Sequence, residues 1–313
     1  MAKRIFKRDK HQQLFDKQGF IVLSFLTTDE VSQLNRLFDE LHPHIAQSGF
    51  VSGSYSSDWA YKKKASEEIV QVFSRAYAEL FIDYTPFGGA FLYKVPGENS
   101  ALAAHQDWTI VDEKEHVALN CWVPLCDVTR ENGALSILPG SHFDNLEVIR
   151  APTLPFFFSG NVEMVQNELI PMEVSAGTAV ILNQSVIHYS PPNKSSNIRK
   201  AITAGVKSRG AQMVFHYKLP DKDELEVFEM EDSFLISFND FIHDIGKRPY
   251  LGKSTGFIPY KLPTLEGEAL YTKLKEMKER AGFGMVLPKE SVGKGNDGEN
   301  VTWYKKLRNI FRS

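Results

Sequence analysis

The stretch HVALNCWVPLCDVTRENGALSILPGSH, residues 116–142, contains two apolar runs of strand length separated by a polar segment. Short runs of this kind, broken by glycine, proline and asparagine, extend from about Gly88 to Tyr217. Many short strands joined by such turn residues are typical of a sandwich, a jelly roll or a barrel. The middle of the chain is therefore predicted to be rich in β-strands.

Helical patterns flank the β-rich region on both sides. Four segments read as helices: 28–41, 66–81, 231–245 and 265–282. Thr27 and Glu30 form a capping-box sequence at the start of the first segment. Because helices surround one β-rich region, the sequence favours a single domain over residues 1–287, mainly β with flanking helices.

Composition excludes several classes of protein. The 313-residue chain has a formal net charge of -3, which gives no reason to expect a nucleic-acid partner. No run approaches the 18 apolar residues of a membrane-spanning helix. Cys121 and Cys126 are expected on opposite faces of one strand, which disfavours a disulfide. The sequence therefore predicts a soluble, cytoplasmic protein.

The C-terminal tail, residues 288–313, differs from the rest of the chain. KESVGKGNDGEN, residues 289–300, is polar and contains glycine, which predicts a flexible linker. VTWYKKLRNIFRS, residues 301–313, places apolar side chains on one side and basic ones elsewhere, as in a basic amphipathic helix. Such a helix either lies on an anionic membrane or docks on its own domain or a partner subunit.

A histidine and an aspartate lie close together in the segment AAHQDWTIV, residues 103–111. If this segment is a strand, His105 and Asp107 share one face and converge on one point. A protein core tolerates such a pair only when something satisfies it. The candidates are a metal ion, a catalytic proton relay and a buried hydrogen bond.

A second histidine downstream strengthens the metal interpretation. His188 follows a hairpin-like segment, and with His105 and Asp107 it would complete a triad of two imidazoles and one carboxylate. On one face of a metal this set leaves three positions open, as in non-haem Fe(II) oxygenases. Zinc would also bind these ligands, so the triad predicts a metal site more firmly than it predicts the metal.

Arg199 provides a further indication. It opens the run RKAITAGV, which reads as a strand with alternating faces. An arginine directed into a barrel is costly unless it meets an anion, and its planar fork matches a carboxylate. A dicarboxylate such as 2-oxoglutarate could chelate iron at one end and reach Arg199 at the other. Without the triad, a surface arginine would be the better interpretation.

These residues together carry a family resemblance. HQD at 105–107, NCWVPLCDVTRENGALSILPGSH at 120–142 and HYS at 188–190, followed by Arg199, resemble the phytanoyl-CoA dioxygenase family. The segment LFDKQGFIVLSFLTTDEVSQL resembles the opening of that family, so the likeness covers roughly residues 12–217. The resemblance implies a double-stranded β-helix, a cupin-like jelly roll, that uses Fe(II), 2-oxoglutarate and O2.

The resemblance also assigns roles to residues of this chain. It implies that His105, Asp107 and His188 bind the iron. It further implies that Arg199, together with Ser190, holds the far carboxylate of 2-oxoglutarate. The presence of Asp107 favours hydroxylation over halogenation, because related halogenases have a small residue in place of that carboxylate.

Three further residues are assigned to the cosubstrate site with more open roles. Trp122 matches a tryptophan that lines the cosubstrate pocket. Tyr93 falls where relatives place a polar contact, although tyrosine departs from their asparagine, so a structural role is equally compatible. Asn120 shares a face with Trp122 and either points at the keto-acid end or is structural.

Two short segments have alternative interpretations. YKKK, residues 61–64, reads as a charged loop that is either solvated or faces an anionic substrate. LPFFFSG, residues 154–160, lies between the ligand-bearing segments and is either a wall of the substrate site or simple packing.

The proposed reaction is hydroxylation of a small-molecule, acyl or natural-product substrate, with release of succinate and CO2. Desaturation, cyclisation and epimerisation stay open as outcomes. A cupin-like metal isomerase or hydrolase would use the triad without 2-oxoglutarate, and it would not need Arg199. A non-catalytic binding protein on the same barrel would form no succinate under any condition.

Overall fold

The computed structural model describes residues 4–143, 148–238, 244 and 246–283. Its α-helices in these ranges include α1 (Asp9–Gln18), α2 (Thr28–Leu41), α3 (Trp59–Leu80), α4 (Val162–Glu168), α5 (Phe234–Ser237) and α6 (Gly267–Arg280). Its strands are β1 (Phe20–Ser24), β2 (Phe50–Ser52), β3 (Tyr84–Lys94), β4 (Leu102–His105), β5 (Ala118–Pro124), β6 (Ser136–Ile137), β7 (Ile170–Pro171), β8 (Thr178–Asn183), β9 (His188–Ser190), β10 (Arg199–Ser208), β11 (Met213–Lys218), β12 (Glu224–Met230) and β13 (Lys253–Pro259).

Two antiparallel sheets form the centre of the fold. The large sheet has the strand order β1-β8-β5-β10-β3-β2, and the small sheet has the order β4-β9-β6-β7. Trp122 and Leu182 of the large sheet pack in one buried cluster with Ile137 of the small sheet. The predicted jelly roll of the double-stranded β-helix type, mainly β with flanking helices, is confirmed.

Helices α1, α2 and α3 cover the outer face of the large sheet. Alternation along β5 explains the arrangement, because Cys121 faces the helices while its neighbour Trp122 faces the small sheet. Phe38 of α2 and Phe73 of α3 are buried in the same outer core as Cys121. Burial of each phenylalanine contributes about 1.5–3 kcal/mol, so this layer holds the large sheet in place.

The two N-terminal helices show what local sequence can predict. Helix α2 has the predicted bounds, and both hydrogen bonds of the capping box between Thr27 and Glu30 are present. Helix α3 begins at Trp59, because the Asp58 side chain accepts a hydrogen bond from the backbone N–H of Tyr61. YKKK is therefore helical, and its prediction as a loop is wrong. Lys62 is buried, with its Nζ donating to the carbonyl of Phe238.

A third sheet, β11-β12-β13, was not expected from the sequence. The predicted helix over 231–245 is helical at Phe234–Ser237, while residues 239–243 and 245 lie outside the described residues. The predicted tail over 288–313 also lies outside them. In the described ranges, no helix is both long and apolar enough to cross a membrane.

Candidate metal centre and cosubstrate pocket

The two histidines face each other across a pair of strands. His105 ends β4 and His188 begins β9, and the antiparallel register places the two residues opposite each other. The centres of their rings are 4.1 Å apart. Each Nδ1 lies beside the carbonyl two residues earlier, at 2.7 Å from Ala103 and 3.0 Å from Val186. A carbonyl only accepts, so Nδ1 donates and each Nε2 offers a lone pair to the centre.

Asp107 completes the cluster, although it does not lie on a strand. Strand β4 ends at His105, so the predicted common strand for both residues is wrong. Oδ1 of Asp107 is 3.9 Å from Nε2 of His188. Oδ2 accepts a 2.9 Å hydrogen bond from the Asn120 amide, whose own oxygen accepts from the Thr203 hydroxyl. The carboxylate is therefore oriented by side chains of the large sheet.

The three side chains fit a metal ion. One ligand atom from each of His105, Asp107 and His188 lies within 4.8 Å of the other two. Burial first, and then the nearby His188, lower the pKa of His105 to about 4, so the imidazole is neutral near pH 7. A neutral imidazole is the form that binds metals. Two imidazoles and one carboxylate leave open positions for a chelating cosubstrate.

Arg199, the first residue of β10, has a buried side chain. Its side chain is among the largest fully enclosed ones, and Nε and Nη1 have no hydrogen-bond partner among the described residues. The guanidinium carbon lies 5.4 Å from the centre of the Trp122 ring. Burial lowers the pKa of Arg199 to about 10, which leaves it charged near pH 7. A buried charge without partners is costly, so this position fits a carboxylate ligand.

A cavity of about 350 Å³ joins the triad to Arg199. Seven of the eight predicted site residues line it: His105, Asp107, His188, Arg199, Ser190, Trp122 and Asn120. The amide nitrogen of Asn120 is committed to Asp107, so this residue positions a predicted metal ligand. Contact of Ser190, Trp122 and Asn120 with 2-oxoglutarate stays a prediction.

Tyr93 is the eighth predicted residue, and its assignment to the cosubstrate site is corrected. Its neighbour Leu92 lines the cavity, so alternation along β3 turns Tyr93 toward the helices. The Tyr93 ring packs edge-on against Phe38 at 5.6 Å, and its hydroxyl accepts from the Ala46 N–H at 3.3 Å. Tyr93 is a core residue behind the sheet.

Much of the cavity wall is apolar. Its wall includes Phe50, Trp108, Phe156 and Leu235. The packing interpretation holds for Phe157 and Phe158, which are buried in the core. Phe156 lines the cavity, and its contact with substrate stays a prediction.

Lys94 was missed by the sequence reasoning although it supports the strand that carries His188. Its Nζ donates to the carbonyls of Ser100 at 2.6 Å, Ser190 at 2.8 Å and Pro191 at 2.6 Å. Burial and the nearby Arg199 lower the pKa of Lys94 to about 6, whereas the three carbonyls favour its protonated form, because they match the three N–H groups of an ammonium. The alternation of β3, which puts Lys94 on the inner face, is the signal that could have identified it.

Comparison with protein-family models matches residues 15–201, more than half of the chain, to phytanoyl-CoA dioxygenase (PhyH). The chain belongs to the phytanoyl-CoA dioxygenase family. The matched range contains every predicted ligand and ends within β10. The sheet β11-β12-β13 follows it.

Curated members of the phytanoyl-CoA dioxygenase family resemble part of the chain. Phytanoyl-CoA dioxygenase 1 of Oryza sativa is 30% identical over 118 residues, which are 37% of this chain and 42% of that protein. Phytanoyl-CoA dioxygenase domain-containing protein 1 of Danio rerio is 32% identical over 120 residues, 36% of this chain and 41% of that protein. The chain thus spans about two fifths of the length of these relatives in the match.

Solved structures give more distant likenesses. The carbocyclase SnoK from nogalamycin biosynthesis is 18% identical, with 66% of this chain and 86% of that one covered and a TM-score of 0.48. EvdO2 from Micromonospora carbonacea, complexed with 2-oxoglutarate, is 19% identical, with 66% and 93% covered and a TM-score of 0.46. These TM-scores are too low to support the family assignment, which rests on the match to the family model and on the site itself.

Proposed function

We propose that this protein is an Fe(II)- and 2-oxoglutarate-dependent oxygenase that hydroxylates an organic substrate with release of succinate and CO2. The observation that carries the proposal is the buried Arg199, which shares a cavity with the His105, Asp107 and His188 cluster and has two unpartnered nitrogens. Membership of the phytanoyl-CoA dioxygenase family supports the same chemistry.

The triad would hold the metal through Nε2 of His105, Nε2 of His188 and a carboxylate oxygen of Asp107. A ferrous ion held there would couple oxidation of 2-oxoglutarate by O2 to oxidation of a substrate C–H bond. Affinity does not select iron over zinc at such a site. Metal identity is therefore part of what the experiment must determine.

The chain's own residues would then bind and orient the cosubstrate. Arg199 would donate to the far carboxylate in a charge-assisted, bidentate contact, which satisfies the nitrogens that otherwise lack partners. The Trp122 ring beside the guanidinium limits its movement. Ser190, on the strand that carries His188, lines the same space and would share the carboxylate.

The cavity wall also supports a proposal about the substrate. In the described lining, the titratable side chains are the triad, Arg199 and Tyr55. Once the metal and 2-oxoglutarate use the first four, no charged side chain of the described lining is left to compensate a full charge on the substrate. We therefore expect the part of the substrate that enters the cavity to be uncharged and largely apolar. Apolar walls would also exclude water from the reacting centre.

The test is 2-oxoglutarate turnover by the purified full chain. CO2 release from carboxyl-labelled 2-oxoglutarate is measured with Fe(II) and O2, against a library of neutral and charged metabolites. We expect Fe(II)-dependent release that a neutral compound stimulates. Conversion of a library compound by Arg199→Met in the absence of 2-oxoglutarate would instead support a metal isomerase or hydrolase. Absence of succinate with every compound would support a binding protein.

The compartment and the partners are further proposals. We propose a cytoplasmic protein without a nucleic-acid partner, supported by the net charge and by Cys121 and Cys126, which are free thiols. We also propose that residues 301–313 contact a membrane surface or a subunit. Sedimentation with anionic vesicles tests the membrane contact, and gel filtration tests the subunit contact. Each experiment compares the full chain with a chain ending at residue 287, and folding of the shorter chain tests the single domain over 1–287.

A further inference from the structure

Arg150 contacts the backbone of the predicted metal ligand Asp107. Its Nε donates a 2.8 Å hydrogen bond to the Asp107 carbonyl. Nη1 donates to the Val148 carbonyl at 3.0 Å, and Nη2 forms an ion pair with Glu113. The Arg150 side chain is 1% exposed and that of Glu113 is 10% exposed, so the pair is almost fully enclosed. Each nitrogen of the guanidinium therefore has a defined partner.

The main chain of Arg150 adds a second connection to the same segment. Its carbonyl accepts from the Thr109 N–H at 2.9 Å, and its own N–H donates to the Thr109 hydroxyl at 3.1 Å. Beyond this point, the Val214 N–H of β11 donates to the Ile110 carbonyl at 2.8 Å. Residues 106–110 belong to no strand, and these hydrogen bonds hold the segment in place of strand-to-strand hydrogen bonds.

Such support matters because a metal site depends on the position of each ligand. Groups that orient the ligands of a metal typically change its affinity 10- to 100-fold when they are removed. The position of Asp107 is sensitive to the loss of such a group, because the backbone that carries its side chain belongs to no regular strand. Arg150 does not line the described cavity, so it cannot act on substrate or cosubstrate directly.

We propose that Arg150 is a positioning residue for Asp107, and this inference rests on the proposed metal centre. The guanidinium, oriented by Glu113, fixes the Asp107 carbonyl and thereby keeps the carboxylate directed at the two histidines. The role requires the planar fork of arginine, because one nitrogen must reach Asp107 while another reaches Glu113. Lysine carries all its donors on one nitrogen, so it lacks the spaced nitrogens with which Arg150 reaches both Asp107 and Glu113.

Metal binding by the full chain tests the inference without reference to turnover. The probe is Co²⁺ alone, with its dissociation constant measured by competition and its site followed by visible absorption. We expect Arg150→Lys and Arg150→Met to bind Co²⁺ about 10- to 100-fold more weakly than wild type, with a changed spectrum. The matched control is Arg248→Lys, which breaks the bidentate ion pair of Arg248 with Glu226 in β12. The control should bind Co²⁺ within twofold of wild type.

Thermal unfolding of the metal-free proteins separates positioning from loss of fold. If the Arg150 variants do not fold, Glu113→Gln decides, because it keeps Arg150 and removes only the negative charge that pairs with its guanidinium. We expect about a 2- to 10-fold weaker Co²⁺ affinity from that loss. Folded variants that bind Co²⁺ as wild type does, with the same spectrum, would overturn the inference and leave the oxygenase proposal intact. Failure of the wild type to bind Co²⁺ would overturn both, whereas Co²⁺ binding without 2-oxoglutarate turnover would overturn the oxygenase alone.

Discussion

The two histidines and the aspartate of the metal centre are supported in different ways. His105 and His188 lie on paired strands, and their Nδ1 atoms bind carbonyls two residues earlier in their own segments. Asp107 lies past the end of its strand and is held by Asn120 and Arg150, which are 13 and 43 residues away in sequence. The positions of the two histidines therefore follow from strand pairing, while the position of the carboxylate depends on individual polar side chains.

The largest expected effect comes from removing a ligand itself. His188→Ala should reduce Co²⁺ affinity by more than about 100-fold, beyond the loss expected from a supporting residue, because the centre would keep only two ligands. Competition binding measures the loss. His44→Ala, which changes an exposed histidine, is the control and should bind as wild type does. Unchanged binding in His188→Ala would remove this residue from the ligand set.

Arg199→Met should affect the cosubstrate and not the metal. Loss of the charged partner leaves a buried carboxylate unpaired, which typically costs about 2–5 kcal/mol, or roughly 30-fold to several thousand-fold in 2-oxoglutarate affinity. Calorimetry with the metal-loaded protein measures this change, and Co²⁺ affinity is the internal control. Equal 2-oxoglutarate affinity in the variant would show that the guanidinium binds something else.

The same substitution should stabilise the ligand-free protein. Nε and Nη1 of Arg199 are buried and find no partner in the part of the chain that the structure describes, so replacing the charge by an apolar side chain of similar length removes a cost. We expect the free energy of unfolding to rise by about 1–3 kcal/mol. Urea denaturation without metal or 2-oxoglutarate measures it. A decrease would mean that the guanidinium is already satisfied inside the fold.

Asn120 should show an intermediate effect on the metal. Asn120→Leu removes the amide that donates to Asp107 and should weaken Co²⁺ binding about 10- to 100-fold. Thr203→Val removes only the hydroxyl behind Asn120, so its effect should be smaller. Competition binding with both variants measures the order. An equal or larger effect from Thr203→Val would argue against a relay through Asn120 to the carboxylate.

Lys94→Met should have the smallest effect on metal affinity, and it tests whether strand pairing alone fixes the two histidines. The substitution leaves three buried carbonyls without their donor, so the free energy of unfolding should fall by at least about 1–3 kcal/mol. Co²⁺ affinity should change less than threefold, because strand pairing already fixes His188. A loss of affinity as large as that of Asn120→Leu would show that the histidines also depend on individual side chains.

Local patterns predicted the parts of the fold that local interactions determine. Helix α2 has the predicted bounds because its apolar stripe and its capping box lie within the segment itself. The start of α3 at Trp59 was missed because its cap, Asp58, comes before the basic run YKKK, and that run was predicted to be a loop. Strand β12 was missed because its glutamates mask the alternation, and buried Glu226 pairs with Arg248, 22 residues away in sequence.

The site was predictable as far as residue type and order carry the information. Ligand chemistry identified the triad and Arg199, but it could not show that Asp107 leaves the strand. Both faces of β3 are buried, so the apolar pattern of its sequence does not show which face is which. The structure shows that Tyr93 faces the helices while Leu92 faces the cavity. Arg150 carries no local signal, because its importance comes from partners that only the folded chain brings together.

The central claim is that one cavity holds a ferrous ion on the triad and 2-oxoglutarate between that ion and Arg199. Anaerobic titration of the Fe(II)-loaded protein with 2-oxoglutarate, followed by visible absorption, tests it most directly. We predict a weak charge-transfer band in the wild type that saturates with 2-oxoglutarate, and a much weaker response in Arg199→Met at equal iron content. A wild-type protein that binds Fe(II) and shows no band at any 2-oxoglutarate concentration would contradict the claim.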